Sequence, residues 1–368
     1  MKILVAGAWF SEIHESAIAE AFTQLGHEVV RFPWQAYFAK PHVSLSGSQA
    51  AWLKLQDKYL WGPRFFDLNR DLRALALNEK PDAVFVYRGT HVTSDTLRGV
   101  REALPRCALI GYNNDDPFGP GQPRWYWRHF VASLHEYDLV AAYRHHNLEE
   151  FRARGARRVE LLRSWYIPGQ NRRVVLEGLE RERYDCDVVF VGHLEADHRV
   201  ACLEEIVRRG WRLKLFGPGY EWDPVLRDNA LLKHLAPVQL VWQDDYNRAL
   251  SGAKIALCFL SKLNRDTYTR RCFEIPATGT LMMSERTPDL ETLFVDGKEA
   301  VFFSDKDELA AKVGEYLGDD ERRQRVAAAG HARLLRDGHD VVSRARQVLS
   351  WIDNIRRATD RKSTRLNS

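Results

Sequence analysis

The 368-residue chain is 45% hydrophobic and 28% charged, with a formal net charge of +4, the balance of an ordinary globular protein and not of a disordered or fibrous one. At this length one core normally gives way to two domains. No run of about 18 apolar residues occurs, and "MKILVAGAWF" runs into polar "SEIHES" without a small-residue cleavage site, so neither a membrane span nor a secretory signal is expected and the cytoplasm is the expected location.

In chain order, "KILVAGAW" is a continuous apolar run ending near a glycine. It is followed by "ESAIAEAFTQLG", where Ile18, Phe22 and Leu25 recur at helical spacing and Gly26 stops the helix, and then by the short strand "EVVRF". Strand, helix, strand is the pattern of a parallel sheet with crossover helices. Residues 41 to 70, rich in Trp and Tyr, read as an irregular insertion or a helical excursion. Buried strands are predicted at "DAVFVYRG", "CALIGYN" and "DLVAAYR", with a helix in "TSDTLRGVREAL". The polar stretch 166–182 reads as a linker. The pattern then restarts at about residue 183 with "CDVVFVG" and "RLKLFGPG", then "KIALCFL", "TLMMSE" and "AVFFS", and three helices close the chain. The expected architecture is α/β: two Rossmann-like, doubly wound parallel-sheet domains, 1–165 and 183–359, facing across a cleft that suits a ligand.

The five cysteines are scattered, mostly in apolar runs, with no Cys-x-x-Cys pair, so they read as small buried hydrophobes and no metal site is expected. The last nine residues, "DRKSTRLNS" (360–368), read as the translation of a sequencing adapter and are set apart from the fold. They hold Arg361, Lys362 and Arg365 against Asp360, so without them the net charge falls from +4 to +2. A surplus this small argues against a nucleic-acid partner.

The first βα turn, "GAWFSEIHES", lacks G-x-G-x-x-G spacing, which disfavours a nicotinamide or flavin enzyme. His14 in that turn is a candidate general base or hydroxyl donor, against the alternative of a solvated histidine before a helix. Asp115 and Asp116 follow a buried strand, where a carboxylate can take a proton or bind a hydroxyl, or can cap the next turn. Aromatic and basic "PRWYWRHF" reads either as an acceptor or membrane contact or as a half-buried helix. In the second half, Gly192 ends a strand and permits close backbone approach to a phosphate, and Arg199 adds charge where a helix begins. Arg271 and Glu274, three residues apart in "TRRCFEIPA", share a side if that segment is helical. The carboxylate then suits a ribose diol and the guanidinium a diphosphate, the alternative being an internal Arg–Glu pair.

Residues 185 to 350, above all "LSKLNRDTYTRRCFEIPATGTLMMSERTPDLETLFVDGKEAVFFSDKDELAAKVGEYLGDDERRQRVAAAGHARL", resemble the C-terminal domain of the CgeB-like (spore-maturation-protein-like) branch of the GT-B glycosyltransferases. The first half resembles the same proteins more diffusely, through "HESAIAEAFTQLGHEVV", "KPDAVFVYRG" and "NNDDP". The resemblance implies a hexosyltransferase-type enzyme that takes a nucleotide-diphosphate sugar in the C-terminal domain and a glycan, protein or small-molecule acceptor in the N-terminal one. It implies no metal, no cofactor beyond the donor, and at most peripheral membrane contact. The family's two donor-site acids lie eight residues apart; the second matches Glu274, and the first position is Asp266, where the family carries glutamate. Arg271 matches the arginine before the family's Phe-Glu dipeptide, Thr278 and Gly279 the turn after that helix, and Gly192 and Arg199 the family's glycine and arginine. A GT-B-like sugar-nucleotide epimerase and a non-catalytic two-domain receptor are the alternatives.

Overall fold

The structure, a computed structural model, describes residues 1–39 and 47–366, with side chains up to Arg361. It divides into two units, Met1–Arg163 with Val341–Ser368, and Ser164–Asp340.

The first unit runs β1 (Lys2–Gly7), α1 (Ala17–Gln24), β2 (Glu28–Pro33), α2 (Gly47–Tyr59), α3 (Pro63–Glu79), β3 (Ala83–Tyr87), α4 (Ser94–Ala103), β4 (Ala108–Asn113), α5 (Arg128–Ser133), β5 (Leu139–Ala142), α6 (His145–Arg152) and β6 (Val159–Leu161). Its six strands form one parallel sheet ordered β2-β1-β3-β4-β5-β6. Ile3, Leu4, Val5 and Ala6 are fully buried, as a strand covered on both faces by helices demands. The excursion at 41 to 70 is helical, forming α2 and the start of α3; its residues 41–46 lie outside the described residues.

The second unit runs α7 (Gly178–Tyr184), β7 (Cys186–Val191), α8 (Arg199–Arg208), β8 (Leu213–Phe216), α9 (Gly219–Arg227), α10 (Gln243–Ser251), β9 (Ala253–Cys258), α11 (Arg271–Ala277), β10 (Leu281–Glu285), α12 (Pro288–Leu293), β11 (Val301–Phe303), α13 (Lys306–Gly318) and α14 (Asp320–Arg336). Its sheet is also parallel, ordered β11-β10-β9-β7-β8. The core is closed by Val188, Ile255, Leu257, Met283 and Phe303 beneath Leu203, Ile206, Leu309 and Val313 of the helices.

Two expected boundaries fall elsewhere. The stretch 166–182 belongs to the second unit, where the Tyr166 amide donates to the His339 carbonyl and the Val174 amide to the Ser251 hydroxyl. Arg172 pairs with Asp244 and Arg173 donates to the Gly279 carbonyl, so the stretch is tied to that unit and is not a free linker. The last helix, α15 (Val341–Leu366), returns to the first unit and packs against α1 and β4. Gln347 donates to the Leu161 carbonyl and Arg356 pairs with Asp82. Ala345, Val348 and Ile352 show one apolar face, but periodicity cannot say which sheet that face meets. The helix continues through Asp360, which pairs with Arg106, to Leu366; residues 367–368 lie outside the described residues. All five cysteines are buried and unbridged.

Candidate functional site

In the second unit, β7 delivers the chain to Gly192, whose amide donates to the Phe216 carbonyl and whose carbonyl accepts the Trp222 indole N–H at 2.9 Å. A Cβ on Gly192 would lie 2.7 Å from the Phe190 ring and 3.3 Å from an Arg271 guanidinium nitrogen. The glycine thus leaves the space at the C-terminal edge of the sheet that Arg271 fills.

Arg271 makes no hydrogen bond or ion pair with any other described residue. Burial works against its charge, but Tyr246, Cys258 and Glu274 nearby outweigh this and hold its pKa above the ordinary arginine value. Half-buried, the guanidinium has five donors and spends none of them on a described residue.

An internal Arg–Glu pair, the alternative read from the sequence, does form, but through Arg270 and not Arg271. Arg270 Nε lies 2.5 Å from Glu274 Oε1, and Tyr246 of α10 donates its hydroxyl to Oε2 at 2.8 Å. Each carboxylate oxygen keeps a second lone pair for an incoming hydroxyl. Arg270 belongs to the charged cluster seen in the sequence with Arg271 and Glu274 but had no role assigned there, and Tyr246 did not stand out. The i, i+4 spacing of Arg270 and Glu274 was the available signal, whereas Tyr246 comes from the preceding helix, 28 residues before Glu274.

Thr278 and Gly279 sit at the other end of α11. Thr278 is fully buried, its hydroxyl held between the Ile275 carbonyl and the Thr280 hydroxyl, so it is turned into the protein and does not face a ligand beside Arg271. Gly279 has φ +70° and ends the helix. Both line a separate cavity of about 860 Å³ at the start of β9 and β10. Asp266 lies in the loop between β9 and α11, where its amide donates to the Ser261 carbonyl at 2.8 Å.

Arg199, expected to face a phosphate, is otherwise engaged. Its Nε and one terminal nitrogen grip both oxygens of Asp197 at 2.8 and 2.7 Å, and the other terminal nitrogen donates to the His193 carbonyl. Only 3% of the residue is exposed. Burial pushes Asp197 up, but the Arg199 bonds and charge outweigh it and leave its pKa below the usual carboxylate value. This fork ties down the turn that follows Gly192.

In the first unit, His14 lies in a wide turn after β1, with Nδ1 3.1 Å from the Tyr87 hydroxyl at the end of β3. Next to it, Glu15 is buried beneath Gly7 and accepts the Ala8 amide; burial raises its pKa above the ordinary value. Asp115 is ion-paired with Arg88, which adopts φ +68°. Asp116 is fully buried. One of its oxygens accepts from the Phe118 amide and Asn147, and the other lies 3.1 Å from His146 Nε2.

The two aspartates therefore do different things. Asp116, read from the sequence as a direct acid or base, is enclosed and instead holds His146, a residue the sequence reading passed over because Asp116 and the first turn of α6 are distant in the chain. Asp116, His146 and Glu150 are the sole group of three potential metal-ligand side chains among the described residues, with ligand atoms within 4.8 Å of one another.

Residues 199–350 match the protein-family model described as "Glycosyl transferase-like". No curated protein matches the sequence. Among solved structures, sucrose-phosphate synthase from Thermosynechococcus elongatus is similar at TM-score 0.68 and 13% identity, covering 97% of this chain and 100% of that one. HepE from Anabaena, in complex with UDP-glucose, is similar at TM-score 0.66 and 12% identity, with 96% and 100% covered. A UDP-N-acetylglucosamine 2-epimerase structure from Listeria monocytogenes is similar at TM-score 0.59 and 13% identity, with 95% of each chain covered. With its two parallel α/β sheets, the chain has the fold of the GT-B glycosyltransferases.

Proposed function

We propose that this protein is a glycosyltransferase of the CgeB-like branch, moving a hexosyl group from a nucleotide-diphosphate sugar to a glycan, protein or small-molecule acceptor in the cytoplasm, without a metal ion. The observation that carries the reading is Arg271: a half-buried guanidinium near the Glu274 carboxylate but bonded to no described residue, set over a glycine at the C-terminal edge of β7, where open α/β sheets bind ligands. Two diphosphate oxygens match its planar fork. The UDP-glucose held by the Anabaena protein is a donor of the class proposed.

In this reading Glu274, oriented by Arg270 and Tyr246, accepts the ribose hydroxyls, and Asp266 contacts the sugar. Gly192 admits the diphosphate, and Arg199 acts from behind by fixing the turn. Thr278 and Gly279 shape the end of α11. During transfer the bond from the anomeric carbon to the diphosphate breaks, the acceptor oxygen bonds to that carbon, and Arg271 stabilises the leaving diphosphate. For an inverting transfer the acceptor's proton needs a base. His146 suits that task, since Asp116 fixes its ring through Nε2 and leaves Nδ1 for the acceptor. His14 holds an acceptor hydroxyl, and Asp115, engaged with Arg88, braces the same sheet edge.

Calorimetry with UDP, GDP, dTDP and CDP tests the reading on the full chain. One nucleotide should bind selectively and weaken with Arg271→Ala and Glu274→Ala; binding that ignores both substitutions sinks it. The likeness to a sugar-nucleotide epimerase supports a second reading. Release of an altered sugar nucleotide in the absence of any acceptor distinguishes it from transfer.

A further inference from the structure

The first unit carries a helix whose polarity is reversed. On α2 the inward arc holds Gln56, 3% exposed, which accepts the Arg64 amide, and Asp57, which meets His91 Nε2 at 3.1 Å. The outward arc holds Trp52, Leu55 and Tyr59, exposed at 48%, 44% and 50%. Their spacing of three and then four residues sets them on one stripe, and an apolar stripe on a globular protein normally faces the core.

The stripe extends beyond the helix. Tyr59 and Trp125 rings lie 5.5 Å apart, and Trp61 meets Phe66 at 6.3 Å, with Trp61 61% and Phe66 54% exposed. Arg128 donates to the Leu60 and Trp125 carbonyls and so pins the two segments together. Of the aromatics in "PRWYWRHF", Trp127 and Phe130 are core, while Trp125 faces out at 41%.

Cations border this surface. Lys54 and Lys58 share the outward arc of α2, and Lys58 lies over the Tyr59 ring at 5.4 Å. Residues 47–66 contain Lys54, Lys58 and Arg64 against Asp57, and residues 120–130 contain Arg124 and Arg128 with no acid. These two segments alone hold a surplus equal to the +4 of the whole chain.

We infer that this face, from Trp52 to Trp125, docks on an anionic lipid bilayer. Trp and Tyr rings with an apolar body and a polar edge suit the headgroup boundary, and the cations match its negative surface. A neutral glycan would stack on the rings but would leave the surrounding charge without a role.

The test is co-sedimentation of the full chain with vesicles of phosphatidylcholine alone and of phosphatidylcholine mixed with phosphatidylglycerol. The protein should bind the mixed vesicles and not the neutral ones, with binding weakened by salt. Lys54→Gln, Lys58→Gln and Arg124→Gln should each reduce binding by about fivefold. The combination of Trp52→Ser, Tyr59→Ser and Trp125→Ser should reduce it by at least about tenfold, and Trp125→Ser alone serves if the combination unfolds, with thermal unfolding as the control. Failure to bind mixed vesicles overturns the inference, as does equal binding by folded variants. So does an aromatic-dependent affinity for a soluble neutral oligosaccharide with vesicles ignored.

Discussion

Arg270 Nε lies 2.5 Å from Glu274 Oε1, while Arg271, one residue on, sets its guanidinium against Gly192. Successive residues on a helix are rotated by about 100°, so two neighbouring arginines cannot serve the same face, and here one orients the carboxylate while the other stays open.

Substituting the two arginines should separate stability from binding. Arg270→Ala leaves Glu274 enclosed with Tyr246 as its remaining partner and should destabilise the protein by about 3 kcal/mol. Arg271→Ala removes a charge that bonds to no described residue and should change stability by less than about 1 kcal/mol, yet weaken nucleotide-diphosphate binding by about 10- to 100-fold. Urea unfolding beside calorimetry reads both; equal effects of the two variants on stability would contradict the assignment.

Gly192→Ala should act through Arg271. The added methyl would meet the Phe190 ring at 2.7 Å and the guanidinium at 3.3 Å, so we expect about 1–3 kcal/mol of destabilisation together with weaker nucleotide binding. Unchanged affinity in a folded variant would mean that the guanidinium does not face the ligand from this position.

The Arg199–Asp197 fork predicts a pH dependence with a definite sign. The Asp197 carboxyl has a lower pKa folded than its ordinary 3.8, so the pair contributes fully above that value and its contribution fades as pH falls through the folded pKa. Asp197→Asn should therefore cost about 3 kcal/mol at neutral pH, with the gap to the wild type closing on acidification. Denaturant midpoints measured across the acid range check this; a gap that widens towards low pH would contradict it.

His146 and the metal question call for a kinetic test. If His146 takes the acceptor proton, His146→Ala should lower kcat by about 10²- to 10⁴-fold with donor affinity unchanged. EDTA should leave turnover unaltered. Loss of activity on chelation, restored by a divalent cation, would instead assign the Asp116–His146–Glu150 group to an essential ion.

Much of the architecture is local in origin and was legible from the chain. Continuous apolar runs alternating with helical spacing predict ten of the eleven described strands outright, and Gly26, at φ +82°, ends α1 as read. The three-residue β6 is too short to show a period. The position of Glu274 on a short helix after a buried strand was also readable, since the helix starts where the charges cluster.

What the sequence determined by itself is the kind of each element and which residues could carry charge to a sheet edge, because hydrophobic period and backbone preference act over a few residues. Tertiary structure alone decided which charges meet. Asp116 is claimed by His146 and Asn147, Glu274 by Tyr246, and α15 by the first unit, whereas Arg271 meets the space beside Gly192. Hydrogen bonds and ion pairs form over about 3 Å, and sequence separation says nothing of such distances once the chain is folded.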